Sequence, residues 1–289
     1  MRAISLFAGC GGFDLGLHQA GYSVVWANEI DKHAQASYRA NHDGFLDTRD
    51  IQEVEAADIL AETRLAVGEL HLMAGGPPCQ PFSTAGPRSG KWNGVIERLS
   101  FEFVRLRYGL QPKTFVMENV PGMRKGVSVG VFNEVLREMR VGYRVAWREI
   151  DAHRLGVPQE RRRLIFVGVR EDLAIYPVFP KEQTSRLGID HVVPEAVSVE
   201  GWDCYQQLVM RPARLPMPTV LASQRSPLKW RDASGALHAF TIEQMKGVCG
   251  FPRDFALVGP EREQWKRLGN CVPPPMAKAI GLAIREALS

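Results

Sequence analysis

Over roughly its first 170 residues the chain alternates short apolar runs with amphipathic stretches, and this restricts it to few architectures. A short run with no polar face has to be buried on both sides, the condition of a strand in a mostly parallel sheet covered by helices. Residues 4–7 read as a first buried strand. After a glycine turn, Phe13, Gly16, Leu17 and Ala20 share one helical face, and Gly21 supplies the stop. Residues 22–27 read as the second strand, 31–41 as the next helix and 70–74 as a further strand. A helix over 97–108 turns Leu99, Phe103 and Leu106 inward, and a strand over 114–117 ends at Glu118. A helix over 131–139 and a strand over 164–169 close this region. Beyond Arg170 prolines become frequent and periodicity fades until about Thr241, which reads as a small, irregular second lobe. The last helix, 275–287, places Met276, Ile280 and Ile284 on one face. The expected fold is α/β, with a main domain from 1–170 and 262–289 and a second from 171–261.

Composition sets the remaining bounds. With 45% hydrophobic and 24% charged residues, wholesale disorder is excluded. The net charge of +4 permits a polyanionic partner without demanding one. Its distribution says more: nine arginines face four carboxylates between Arg137 and Arg170, and arginine suits bidentate contacts to phosphate or base edges. Five cysteines, at 10, 79, 204, 249 and 271, form neither a paired framework nor a metal-ligand spacing, so no metal is expected. The apolar start, residues 3–7, is too short for a signal peptide, and no segment suggests a membrane span. A cytoplasmic monomer is expected.

Three segments carry chemistry. Gly75-Gly76-Pro77-Pro78-Cys79-Gln80-Pro81-Phe82-Ser83 puts a lone cysteine on a stiff turn straight after an apolar strand, which is how a nucleophile is presented. Alone, the segment reads equally well as a proline-rich turn with an incidental cysteine. Phe7-Ala8-Gly9-Cys10-Gly11-Gly12, between a strand and a helix, is a glycine-rich turn that lets a ligand approach the backbone. Glu29 stands where such folds put a carboxylate that accepts both ribose hydroxyls, and Asp50 can accept from an adenine amino group while Ile51 packs on the ring. Glu118, at the end of an apolar strand, is placed to donate a proton to a ring nitrogen. In Gln159-Glu160-Arg161-Arg162-Arg163, alternation sends Arg161 and Arg163 to one face and Arg162 to the other.

In this order, LFAGCGG, the glutamate after the second strand, GGPPCQPFS, MENV, QERRR and GNCVPPPMAKAI resemble the DNA cytosine carbon-5 methyltransferases of compact bacterial or phage type. The similarity covers about residues 3–170 and 211–284. It implies a Rossmann-like, S-adenosylmethionine-dependent catalytic domain with a small target-recognition domain. Cys79 would be the nucleophile, Glu118 would bond ring nitrogen 3 and the exocyclic amine, and Arg163 would hold the carbonyl oxygen with Arg161 beside it. The cofactor positions implied are Phe7, Ala8, Gly9, Cys10, Gly11, Gly12, Glu29, Ile30, Asp50, Ile51, Pro78, Leu99, Asn270 and Val272. Gln80 and Ser83 begin the loop that closes over the substrate in this family, and Asn119 joins them as a position facing DNA. Double-stranded DNA is the implied substrate, flipped at one cytosine, with a cognate restriction enzyme or a specificity-supplying subunit as further partner.

About forty residues, between Arg170 and Arg211, stand where the family carries its recognition region, which is short. Trp202, Tyr205, Gln206 and Gln207 are the candidates there for reading bases. Methylation of RNA is the nearest rival, but the Cys-Phe-Thr element of the transfer-RNA branch is absent. An inactive nucleic-acid-binding relative would not need Cys79, Glu118 and Arg163 together, and a zinc deaminase would need a His-x-Glu element that no histidine here begins.

Overall fold

In chain order the strands and helices are β1 (Arg2–Leu6), α1 (Gly12–Gln19), β2 (Ser23–Asn28), α2 (Lys32–Arg39), β3 (Phe45–Asp47), α3 (Ala56–Thr63), β4 (Leu72–Gly75), α4 (Gly94–Leu110) and β5 (Thr114–Asn119). They continue with α5 (Val129–Met139), β6 (Tyr143–Asp151), β7 (Arg162–Arg170), β8 (Ser198–Trp202), β9 (Leu208–Pro212), β10 (Lys229–Arg231), β11 (Leu237–Ala239), α6 (Ile242–Val248), α7 (Glu261–Asn270) and α8 (Pro274–Leu288). The computed structural model describes residues 1–78, 94–184, 186–202, 208–222 and 228–289. Cys79, Gln80 and Ser83, with Tyr205, Gln206 and Gln207, lie outside the described residues.

The main sheet has the order β3-β2-β1-β4-β5-β7-β6. β1 through β5 pair in parallel, whereas β7 runs antiparallel to both β5 and β6. Strand alternation divides the core between the two faces. Ile4, Leu6, Met73, Phe115, Met117 and Phe166 pack on one side, with Phe103 of α4 and Val135 of α5. Ala3, Leu72, Ala74, Val116 and Val167 pack on the other, against Leu17 of α1 and Ile280 of α8. The crossing of α1 and α8 is close because it is built on glycine. A Cβ on Gly281 would come 2.9 Å from that of Ala20, and one on Gly16 would strike the Pro274 carbonyl.

Part of the region expected to be irregular is a sheet. β8 to β11 form a second, antiparallel sheet in the order β11-β10-β8-β9. Its core joins Val199, Phe240, Met245, Phe251 and Leu268, and Cys10 of the first glycine turn packs into it. The pattern hides these strands because β9 is inverted: Leu208 and Met210 are exposed at 60% and 63%, while Arg211 turns inward to pair with Glu160. β3, α3 and β6 are also additions to the sequence reading. No helix of the described residues is long and apolar enough to cross a membrane.

Candidate active site

The parallel strands deliver their carboxyl ends to one edge, and the strand order reverses between β1 and β4, which opens a crevice there. The turn after β1 carries Phe7, Ala8 and Gly9. Phe7 (φ 57°), Gly9 (φ 61°) and Gly11 (φ 89°) adopt left-handed backbone. The three glycines have different reasons. A Cβ on Gly9 would meet nothing within 4 Å, so this backbone is open to a ligand. One on Gly11 would overlap the His42 ring, and one on Gly12 would lie 2.7 Å from the Val272 carbonyl oxygen. Gly11 and Gly12 therefore serve packing, and Gly9 alone has the open space that close approach by a ligand requires. Cys10 is buried at 2% exposure in the second core, and burial pushes its thiol pKa up, so its side chain faces away from the crevice.

Glu29, just past β2, locks onto this turn. One carboxylate oxygen accepts from the Gly9 amide at 2.8 Å and the other from the Asp31 amide at 2.7 Å. Each oxygen retains a lone pair for a further donor. Burial raises the Glu29 pKa against the opposing pull of those two amides. The next residue, Ile30, is 60% exposed. Asn28 donates to the main-chain oxygens of Asp47 (3.3 Å) and Arg49 (3.0 Å), drawing the segment after β3 towards β2. Asp50 then caps a short turn through the Gln52 amide, with Ile51 buried. Arg105 of α4 fixes that turn by donating to the Ile51 and Val54 carbonyls at 3.0 and 2.7 Å. Leu99 is half-buried, Pro78 and Asn270 are exposed, and Val272 is buried.

On the other side of the crevice Glu118 ends β5. Its carboxylate forms an ion pair with Arg163, Oε1 to Nε at 2.7 Å, and both side chains are nearly buried. The bare α-carbon of Gly76 lets the backbone pass against Glu118: a Cβ there would lie 2.8 Å from Oε2. The backbone at Gly76, three residues before Cys79, thus runs beside Glu118 Oε2. Asn119, behind Glu118, uses its side-chain oxygen on the Val120 amide at 2.8 Å, and its buried Nδ2 has no partner among the described residues.

Arg161 departs from the expectation of a second cation beside Arg163. Alternation does bury it with Arg163, leaving the side chain of Arg162 65% exposed, but its guanidinium donates to the main-chain oxygens of Val220 (3.2 Å) and Gly269 (2.9 Å). These contacts make it a brace between the segment after β9 and the end of α7. Gln159 and Glu160 belong to the same brace, through the Val220 amide and through Arg211. Arg267 of α7 adds a tie to Asp31 at 2.9 Å, a link that nothing in the sequence pattern signalled. Among the described residues no group of three His, Cys, Asp or Glu side chains is placed to hold a metal ion.

The family model for C-5 cytosine-specific DNA methylases matches residues 1–207. The chain belongs to the C-5 cytosine-specific DNA methylase family. Among curated relatives of this methylase, the type II methyltransferase M.NgoPII of Neisseria gonorrhoeae is 30% identical, over all of this chain and 96% of its own. M.FnuDI of Fusobacterium nucleatum is 28% identical, over 100% and 95%. Among solved structures, the Dnmt2 methyltransferase of S. pombe superposes with a TM-score of 0.71 at 18% identity, covering 99% of each chain. The methyltransferase EhMeth of Entamoeba histolytica gives 0.73 at 14%, covering 100% and 99%. At such identities the structures speak for the methylase fold alone.

Proposed function

We propose that the protein methylates carbon 5 of a flipped-out cytosine in duplex DNA through a covalent adduct of Cys79, with S-adenosylmethionine as methyl donor. The observation that carries this reading is the Glu118–Arg163 pair at the end of β5, with the backbone of Gly76, three residues before Cys79, beside Glu118. The crevice suits the donor: Gly9 has open space beside it, Glu29 keeps acceptor capacity at the end of β2, and Ile51 with Asp50 can flank an adenine. When bound, S-adenosylmethionine supplies an electrophilic methyl group.

Cytosine carbon 5 is a weak nucleophile. The Cys79 thiolate forms a bond to carbon 6, and protonation of ring nitrogen 3 by Glu118 turns the ring into an enamine that is nucleophilic at carbon 5. Arg163 holds the Glu118 carboxylate in an ion pair at 2.7 Å, which orients it toward the base and sets a positive charge beside the developing anion. After methylation, water takes up the carbon-5 proton, the carbon 6–sulfur bond breaks to release the Cys79 thiolate, and nitrogen 3 returns its proton to Glu118, which restores the aromatic ring. Attack needs both ring faces, so the base has to leave the stack, at a cost of a few kcal/mol.

The test is a base-resolution map of 5-methylcytosine on unmethylated genomic DNA incubated with the protein and S-adenosylmethionine, alongside Cys79→Ala. Methylation at a short motif by the wild type, and none by a variant that still binds S-adenosylhomocysteine, is the expected result. Turnover by Cys79→Ala would rule out the adduct. An unmodified map would move the substrate to RNA or to DNA presented by a partner.

A further inference from the structure

The described residues include three cysteines, Cys10, Cys249 and Cys271, all free, and the fold gathers into one core what the chain scatters. Cys249 ends α6 and Cys271 ends α7. Their thiols converge on one acceptor: the Leu268 carbonyl oxygen lies 3.0 Å from Cys271 Sγ and 3.8 Å from Cys249 Sγ. Gln159 Nε2 donates to Cys249 Sγ at 3.5 Å and fixes that sulfur in the interior. Cys249 is 1% exposed and Cys271 9%, so a small reagent reaches Cys271 first. Electrostatics favour the same sulfur. A hydrogen bond from the Cys249 thiol lowers the Cys271 pKa, and Arg161 and Arg163 act in the same sense, against burial and the charge of Glu118. The Cys249 pKa is raised by that same bond and by burial. One sulfur is thus set to attack while its neighbour keeps a proton to give up, the arrangement of a reactive thiol beside its resolving thiol.

We propose that Cys249 and Cys271 are an oxidisable pair whose disulfide loosens the cofactor crevice. The oxidant is a hydroperoxide such as hydrogen peroxide. The Cys271 thiolate attacks a peroxide oxygen, the O–O bond breaks, and the departing hydroxide takes a proton to become water, which leaves Cys271 as a sulfenic acid. The Cys249 sulfur then attacks the Cys271 sulfur, the S–O bond breaks, and the hydroxyl leaves with the Cys249 proton as a second water. Two thiols are oxidised and one peroxide is reduced. A disulfide holds its sulfurs at about 2.0 Å, well inside the contact distance of two thiols, so its formation displaces the chain by roughly 1–2 Å. Cys249 is pinned by Gln159, so the segment that yields is the one around Cys271. There the Val272 carbonyl backs Gly12, and the Gly269 carbonyl accepts from Arg161 at 2.9 Å. The displacement therefore passes straight to the glycine turn. Its effect on the crevice rests on S-adenosylmethionine as the cofactor, whereas the disulfide itself does not.

The experiment uses the full chain carrying Cys79→Ala, so that oxidation of that thiol cannot contribute, with and without Cys249→Ser. Each protein is treated with hydrogen peroxide, remaining thiols are alkylated, and tryptic peptides are identified by mass. Calorimetry follows S-adenosylhomocysteine binding before oxidation, after it and after reduction with dithiothreitol. The expected product joins residues 247–253 to 268–278 with the loss of two hydrogens. Oxidation should weaken binding roughly tenfold or more, as misplacing a site by about 1 Å does, and dithiothreitol should restore it. Cys249→Ser should remove the linked peptide and leave Cys271 as a sulfenic acid that dimedone traps. No link, or a link from Cys271 to Cys10, would overturn the pair. The expected link with unchanged binding would overturn its effect on the crevice. A reduced protein that does not bind S-adenosylhomocysteine would overturn the cofactor reading and that effect together, with the disulfide still read from the peptides.

Discussion

Replacing Gly16 by alanine sets two opposing effects against each other, and their sizes decide the outcome. Gly16 sits inside α1 on the face that crosses α8. Alanine in a helix interior is favoured over glycine by about 1 kcal/mol. Against this, the new Cβ would strike the Pro274 carbonyl oxygen and the Ala277 Cβ, and would lie 2.7 Å from the Lys278 amide nitrogen. Two of these are backbone atoms of α8, which cannot rotate aside, so the helices have to separate. Overpacking costs typically 1–3 kcal/mol, and a backbone collision belongs at or above the top of that range. The net effect is a destabilisation of about 2 kcal/mol or more, or a fall in Tm of roughly 4 °C or more for a protein of this size. Gly130, at the exposed start of α5, is the control: a Cβ there would meet nothing within 4 Å, and Gly130→Ala should gain up to about 1 kcal/mol. Urea denaturation of both variants measures the difference. Because Gly12 rests on the Val272 carbonyl, the same displacement should loosen S-adenosylhomocysteine binding several-fold by calorimetry. A Gly16→Ala variant as stable as the wild type would refute the packing argument.

Two further outcomes test the links between the catalytic sheet and the segments beyond it. Burial opposes the ionised form of Asp31, but the Ala34 amide and the Arg267 guanidinium outweigh it and hold this carboxyl well below the usual range. A depressed folded pKa stabilises the protein above the unfolded value of about 4 and ceases to do so as pH falls through the folded one. Asp31→Asn should therefore cost stability at pH 7, with a difference from wild type that shrinks steadily below pH 4 in urea titrations. A difference independent of pH would refute the ion pair. Arg161→Ala strands the Val220 and Gly269 carbonyls in the interior and should cost about 3 kcal/mol in urea unfolding, against roughly 0.5 kcal/mol or less for exposed Arg162→Ala. Equal costs for the two would mean that Arg161 braces nothing.

Much of the main sheet was legible because burial on both sides demands unbroken apolar runs. β1, β2, β4, β5 and β7 all fall within two residues of the runs that announced them, and α1, α4, α5 and α8 follow their helical faces. β6 carries a weaker signal because Arg144 and Arg148 sit between Tyr143, Val145 and Trp147, which leaves no unbroken apolar run. β8 and β9 are short, and with Leu208 and Met210 turned to solvent no local pattern marks them.

The sequence alone determined five of the seven strands of the main sheet, the order of the motifs and hence the family, since these depend on local periodicity and on residue types at fixed spacing. It could also send Arg161 and Arg163 to one face and Arg162 to the other. Only the tertiary structure decided what each arginine meets there. Arg163 finds a carboxylate in a neighbouring strand 45 positions earlier, and Arg161 finds two carbonyls from segments 59 and 108 positions later. The same distinction separates Gly9, beside open space, from Gly11 and Gly12, backed by His42 and Val272. A side chain's neighbours come from long-range packing, which residue spacing does not encode.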